Sequence, residues 1–167
     1  MNKILTDICN MYWKTVCSLE WLSPVSLLMF RVWVAVDFFR AGLVKVSDMD
    51  STISLFTNVY HVPLLAPVVA AYLGTGVELI LPWFLGLGLA GRLAAVVLFF
   101  YNIIAVISYP ELWPNGLWKD FWHGGFTDHK VWGMMLLAIV LYGPGKLSLY
   151  SLLRKYVLPR FGCSFIV

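Results

Sequence analysis

The chain consists of long apolar stretches separated by shorter segments that contain prolines, glycines and charged residues. A membrane-spanning helix needs roughly 20 residues to cross about 30 Å of hydrocarbon. Four apolar stretches approach or exceed that length, at residues 24–46, 63–89, 91–109 and 129–142. The last continues toward Leu149 through Gly143-Pro144-Gly145, which favours a break near its end. The pattern therefore predicts an all-α fold, an integral membrane four-helix bundle.

The first 22 residues show a different pattern. Apolar side chains recur at Ile4, Ile8 and Met11, and polar ones such as Asp7 and Lys14 lie on the opposite side of a helix. A single apolar stripe is typical of an amphipathic helix in the membrane interface. We therefore divide the chain into an amphipathic interfacial helix (1–22), a four-transmembrane-helix domain (23–150) and a cytoplasmic tail (151–167).

Composition supports the membrane interpretation and excludes other classes of protein. Only 13% of the residues are charged and 60% are hydrophobic, whereas a soluble domain has about 25% charged residues. The net charge of +3 is dispersed, so nucleic-acid binding has no support. Cys9, Cys17 and Cys163 form no C-x-x-C motif, which argues against a dithiol redox centre.

The distribution of lysine and arginine predicts the topology. In a four-helix arrangement one side collects most of the basic residues, and the other side collects acidic ones. The basic side contains Lys3, Lys14, Arg92, Lys146, Arg154, Lys155 and Arg160. The positive-inside rule then predicts a multi-pass protein of a bacterial inner membrane, with both termini in the cytoplasm. The loops at 47–62 and 110–128 lie outside.

Several charged or strongly polar residues interrupt the apolar stretches, where an ionised side chain costs at least about 2.5 kcal/mol. We expect Asp37 and Arg40 to pair locally, and Glu78 to pair with a cation of the first helix. Asn102 could hydrogen-bond the same group. The candidate buried polar or ligand cluster comprises Arg31, Lys45, Glu78, Arg92 and Asn102. It is either a packing network or a pocket for a ligand such as a quinone head group.

A second polar group lies at the outer entrance to the fourth helix and comprises His123, Asp128 and His129. Histidines on one side of a membrane could bind zinc or copper. The sequence contains no H-x-x-x-H or Cys/His ligand pair, so loop histidines that hydrogen-bond are favoured and no metal site is assigned. Asp128 also suits the first turn of the fourth helix.

Short motifs give the chain a resemblance to a known family. They are Arg31…Gly42-x-x-Lys45, Glu78, Gly91-Arg92-Leu93-Ala94-Ala95 and the closing Gly143-Pro144-Gly145-Lys146-Leu147-Ser148-Leu149. Together they resemble the DoxX/DoxD-like integral membrane proteins from about Phe30 to Tyr150. Tyr150 stands where many members have an aspartate. The resemblance implies a four-helix membrane bundle. It also implies a link to redox or stress systems, because the family is named after the membrane subunit of a thiosulfate:quinone oxidoreductase.

Three functions remain open at this stage. The first is a membrane subunit of a quinone-linked redox or stress-response system, without intrinsic cofactors and with quinone as its ligand. The chain has no recognisable haem or iron–sulfur ligands, so electrons would come from a partner protein. The second is a non-enzymatic membrane anchor or assembly factor for a periplasmic or cytoplasmic partner. The third is a small transporter or metal-handling protein. Catalysis and homo-oligomerisation are not decided by the sequence.

Overall fold

The computed structural model describes residues 3–20 and 22–156, and this part of the chain is helical with no β-strand. The α-helices are α1 (Lys3–Glu20), α2 (Ser23–Ser47), α3 (Met49–Asn58), α4 (Pro67–Leu87), α5 (Gly91–Ser108), α6 (Leu117–His123), α7 (Thr127–Tyr142) and α8 (Leu149–Tyr156). A short 3-10 helix covers Pro110–Leu112. Most of the predicted cytoplasmic tail, with Arg160 and Cys163, lies outside the described residues.

Two of the described helices, α4 and α5, are long and apolar enough to cross a membrane by length and composition. Helix α2 is longer, with 25 residues, but it contains Arg31, Asp37, Arg40 and Lys45. Helix α7 has only 16 residues. Of the four predicted spans, these simple criteria therefore identify the second and the third.

Helices α2, α4, α5 and α7 share one apolar core. Helix α2 packs mainly against α4 and α5 mainly against α7, and further contacts join α4 to α5 and α2 to α7. Each helix contributes fully buried side chains to this core: Val34, Leu85, Leu98, Leu136 and Ile139. The remaining apolar side chains of these helices are largely exposed, for example Val44 at 72% and Met134 at 64%. The helices are thus apolar on both their inner and outer faces, as lipid-facing helices are.

One predicted loop is partly wrong, and one predicted helix end is confirmed. The segment 47–62, which we expected to be a loop, contains helix α3, because Asp48 caps its first turn by accepting a hydrogen bond from the Ser51 amide (3.0 Å). The fourth helix ends at Tyr142, so the predicted break at Gly143-Pro144-Gly145 is confirmed; Gly143 adopts a positive φ of 81° there. A separate helix, α8, then crosses the predicted domain boundary at residue 150.

Helix α1 forms where the apolar stripe predicted it. None of its side chains is buried, and its apolar residues Ile4, Met11 and Trp13 are each more than 60% exposed. The helix therefore does not take part in the core described above. Its location in the membrane interface stays a prediction.

Candidate functional site

The centre of the site is an ion pair between α2 and α4. The Lys45 ammonium donates to both carboxylate oxygens of Glu78 at 2.5 Å. The side chain of Glu78 is 6% exposed and that of Lys45 is 20% exposed. No other ion pair with an N–O distance of 4 Å or less is found between described residues. The expected Asp37–Arg40 pair is therefore not formed. Each buried charge is thus neutralised by its partner on the other helix.

A close approach of the two helices brings these charges together. A Cβ atom added to Gly42 would lie 3.0 Å from the backbone carbon and the Cβ of Glu78. Any larger residue at position 42 would therefore push α4 away. Lys45 follows Gly42 by three residues, so its side chain emerges from almost the same face of α2. Gly42-x-x-Lys45 is the sequence motif that builds this contact.

Tyr101 of α5 completes the group. Its hydroxyl donates to Glu78 Oε1 at 2.7 Å. The hydroxyl lies against Gly74 of α4, where an added Cβ would be 3.2 Å away. Three helices therefore meet at one carboxylate, and we call Lys45, Glu78 and Tyr101 the carboxylate triad. Tyr101 was not among the residues selected from the sequence.

The carboxylate triad borders a cavity of about 400 Å³. Its walls come from the second half of α2, the first half of α4 and the second half of α5. Helix α3 and the following loop contribute Phe56, Tyr60 and Val62, and α7 contributes Trp132. The volume falls in the range of small-molecule sites, which are typically apolar with a few well-placed polar groups. This cavity has that composition.

Aromatic rings pack against one another along the cavity wall. Phe38 contacts Trp132 edge-on with ring centroids 5.4 Å apart, and it lies 6.1 Å from Tyr101. The Trp132 indole N–H donates to Asp37 Oδ2 at 3.0 Å. Asp37 is thus held by α7 and not by Arg40. The hydrogen bond fixes the Trp132 ring on the boundary of the cavity.

His129 and Asn102 form a second polar contact, between α7 and α5. The Asn102 amide donates to the His129 backbone carbonyl, and Asn102 Oδ1 lies 2.8 Å from His129 Nδ1. We expected Asn102 to join the group around Glu78, but its hydrogen bonds go to His129. His129 also lines the cavity. Its ring contacts Trp132 with centroids 5.0 Å apart.

The end of the cavity farthest along α5 is formed by the loop after α3 and by the last residues of α5. The amide of His61 donates to the Ser108 carbonyl at 2.7 Å, which ties the loop to α5. Burial, together with the negative charge of Glu78, raises the pKa of Tyr60. Tyr60 therefore presents a neutral phenol to the cavity. Ser108 is 3% exposed, and its hydroxyl has no hydrogen-bond partner in the structure.

Arg31 and Arg92 lie elsewhere. Arg31 is fully buried, its Nη2 donates to the Leu147 carbonyl at 2.5 Å, and its guanidinium lies against Gly88. Arg92 lies against Gly143. Both arginines therefore contact the segment 143–148 and not the cavity. The predicted cluster consequently divides into the carboxylate triad, the Asn102–His129 contact and these two arginines.

The predicted outer-loop group is dispersed as well. His123 Nδ1 lies 2.8 Å from the Lys119 carbonyl, one turn earlier in α6. Asp128 lies in the first turn of α7, as expected. Within residues 3–20 and 22–156, no three His, Cys, Asp or Glu side chains are grouped so that they could hold a metal ion.

Comparison with known proteins assigns the chain to a family. The DoxX family profile matches residues 26–110, about half of the chain. The chain belongs to the DoxX family. A Haemophilus influenzae protein, described as uncharacterized, is 28% identical over 134 residues, which cover 80% of this chain and 86% of that protein. No solved structure matches the chain.

This DoxX protein carries most of its cavity inside the matched region. The matched region covers α2 from its fourth residue, α3, α4 and α5, with the carboxylate triad and Ser108. The closing motif at 143–149 and helix α7 lie beyond it. Tyr101 and Ser108 were not predicted from the sequence, because a hydroxyl group in an apolar helix costs less than a charge and is a weaker sign of a site. Their spacing of seven residues, which puts them on one face of α5, was the available signal.

Proposed function

We propose that this DoxX protein crosses a bacterial inner membrane four times, with α2, α4, α5 and α7 as the spans. The four helices share one core while their outer faces expose apolar side chains. Of the four charged residues of α2, Arg31 is shielded from lipid and hydrogen-bonds the Leu147 carbonyl, and Lys45 is paired with Glu78, so their cost in the membrane is reduced. Helix α7 is short, and local thinning of the bilayer can accommodate it.

Four spans place both termini on one side. The basic residues near α1, the α4–α5 turn and α8 then face the cytoplasm, in agreement with the positive-inside rule. The cavity lies between the second half of α2 and the first half of α4, which is the outer half of the membrane in this topology. Helices α3 and α6 belong to the two outer loops.

We further propose that the cavity binds a quinone head group, which makes the protein a membrane subunit of a quinone-linked redox or stress-response system. The observation that carries this proposal is the carboxylate triad on the wall of an otherwise apolar cavity. A flat ring suits the aromatic and aliphatic walls. A carbonyl oxygen suits the Lys45 ammonium, which has three donors and gives two of them to Glu78.

A bound quinone would take up two electrons and two protons, and the electrons would come from a partner redox protein. The residues of this chain would bind the quinone ring and orient it. Lys45 supplies positive charge beside the oxygen of a ligand, which favours negative charge developing there. Glu78 holds Lys45 and Tyr101 in place and is a carboxylate that could carry a proton. Phe38 and Trp132 provide apolar surface for the ring.

The test is a binding measurement on protein in lipid nanodiscs. Organic extracts are analysed for quinones by mass spectrometry, and binding of duroquinone, a tetramethyl para-benzoquinone, is measured by calorimetry. We expect Glu78→Gln to weaken binding at least tenfold, because it releases the Lys45 ammonium from its position. Glu20→Gln, the same change on the exposed end of α1, serves as the matched control and leaves binding unchanged.

Two results would count against the proposal. One is wild-type protein that neither contains a quinone nor binds duroquinone. The other is equal affinity in the wild type and in Glu78→Gln, with both variants retaining their helical circular dichroism. In that case the ion pair serves only the packing of α2 against α4.

A further inference from the structure

Ser108, the last residue of α5, lines the cavity with a hydroxyl that no group of the protein satisfies. The side chain is 3% exposed, and its Oγ has no hydrogen-bond partner. Burying a donor without a partner costs its full desolvation free energy, and native proteins rarely retain such a group. Ser148, the other buried serine, accepts from the Ser151 amide and donates to the Gly145 carbonyl. Among the described residues, the buried side-chain atoms without a hydrogen-bond partner are Ser108 Oγ, which lines the cavity, and Arg31 Nε and Nη1, which lie away from it.

Ser108 and the carboxylate triad lie at different depths of the same cavity. Tyr101 and Ser108 are seven residues apart on α5, which is about 10.5 Å along the helix axis and nearly the same face. Between them the cavity is lined by Ile104 and Ala105, which have no polar side-chain atoms. Along α5, the wall of the cavity thus has a hydroxyl group at each end and apolar side chains between them.

Both ends offer donors. At the inner end Lys45 has one N–H that is not engaged by Glu78. At the outer end the Ser108 hydroxyl is a free donor. A ligand that satisfies both must carry an acceptor oxygen at each end of an apolar body. An anionic head group, such as a fatty-acid carboxylate, is disfavoured because the inner end already contains the Glu78 carboxylate.

We infer that Ser108 is a second anchoring residue, which selects flat ligands with acceptor oxygens at opposite ends, the para-dicarbonyl class. This inference rests on the proposed quinone-binding function and adds the second contact. Ser108 hydrogen-bonds one carbonyl of the ligand, and Lys45 hydrogen-bonds the other.

The test compares two probes on wild type and Ser108→Ala. Duroquinone has two opposed carbonyls, whereas 2,3,5,6-tetramethylphenol is a flat ring of the same size with the same four methyl groups and a single oxygen, which can accept a hydrogen bond from Lys45 only. We expect Ser108→Ala to weaken duroquinone binding roughly threefold to tenfold, the value of one neutral hydrogen bond. Binding of tetramethylphenol stays unchanged. Ser148→Ala is the matched control, a buried serine outside the cavity, and leaves both affinities unchanged.

Infrared difference spectra give a readout that a structural effect would not move. In the wild type the carbonyl absorption of bound duroquinone shifts to lower frequency, and in Ser108→Ala part of this absorption returns toward the free value. The inference is overturned if Ser108→Ala changes neither affinity or changes both equally, or if the carbonyl absorption does not respond. If Glu78→Gln still weakens duroquinone in that case, the proposed function stands and only the role of Ser108 fails. If the wild type binds no duroquinone, both fail.

Discussion

The Lys45–Glu78 ion pair allows a quantitative prediction about stability. An exposed ion pair contributes about 0.2–1 kcal/mol, whereas breaking a buried pair costs about 3–5 kcal/mol because one charge is left without a partner. Glu78 is 6% exposed and Lys45 is 20% exposed, so the buried limit applies in weakened form. We therefore expect Lys45→Met and Glu78→Gln to lower the free energy of unfolding by about 3 kcal/mol each.

The double variant Lys45→Met/Glu78→Gln leaves no unpaired charge and keeps the side-chain volumes similar. Its cost should not exceed that of either single variant, which gives a coupling energy of about 3 kcal/mol between the two residues. The assay is reversible unfolding in mixed detergent micelles, followed by far-ultraviolet circular dichroism, for all four proteins. Additivity of the two single effects within about 0.5 kcal/mol would refute the reasoning. The pair would then be as well solvated as one on a protein surface.

Three further predictions concern the packing of α2 against α4, the cap of α3 and the segment 143–148. Gly42→Ala lowers the free energy of unfolding by about 1–3 kcal/mol, because the new methyl group overpacks the contact with α4. Gly76→Ala, with nothing within 4 Å of the new methyl group, raises the free energy of unfolding by about 0.5–1 kcal/mol. The same unfolding assay measures both variants, and equal effects would contradict the close contact at Gly42. Hydrogen bonds from Ser51 lower the pKa of Asp48, so the stabilisation of α3 by the Asp48 carboxylate is present above the unfolded pKa and is lost as the pH falls through the lower folded pKa. We expect Asp48→Ala to speed amide exchange in α3 relative to the wild type near neutral pH and to have no such effect in strong acid. A faster exchange that persists in strong acid would exclude a charge effect. Arg31→Gln releases the Leu147 carbonyl, so amide exchange in residues 143–151 rises while exchange in α3 stays constant; unchanged exchange in 143–151 would show that the hydrogen bond does not hold the loop.

The family and the helices followed from local patterns. Apolar stretches of membrane length, an amphipathic stripe at the N-terminus and short motifs around Gly42 and Gly143 are properties of neighbouring residues, and they predicted an all-helical DoxX protein. The partnership of Glu78 with a cation of α2 was also predictable, because a buried carboxylate requires compensation. Helix α3 was missed because it is short and because its cap, Asp48, also suits a loop.

Only the tertiary structure decided which polar groups meet. The sequence placed Arg31, Lys45 and Asn102 in one candidate group, but the helices distribute them over three contacts, since the direction of a side chain depends on how its helix is rotated against the others. The same rotation brings Tyr101 and Ser108 of α5 into a cavity with Lys45 of α2. Periodicity along one helix fixes which residues share a face; which faces then enclose a cavity depends on packing between helices distant in the chain.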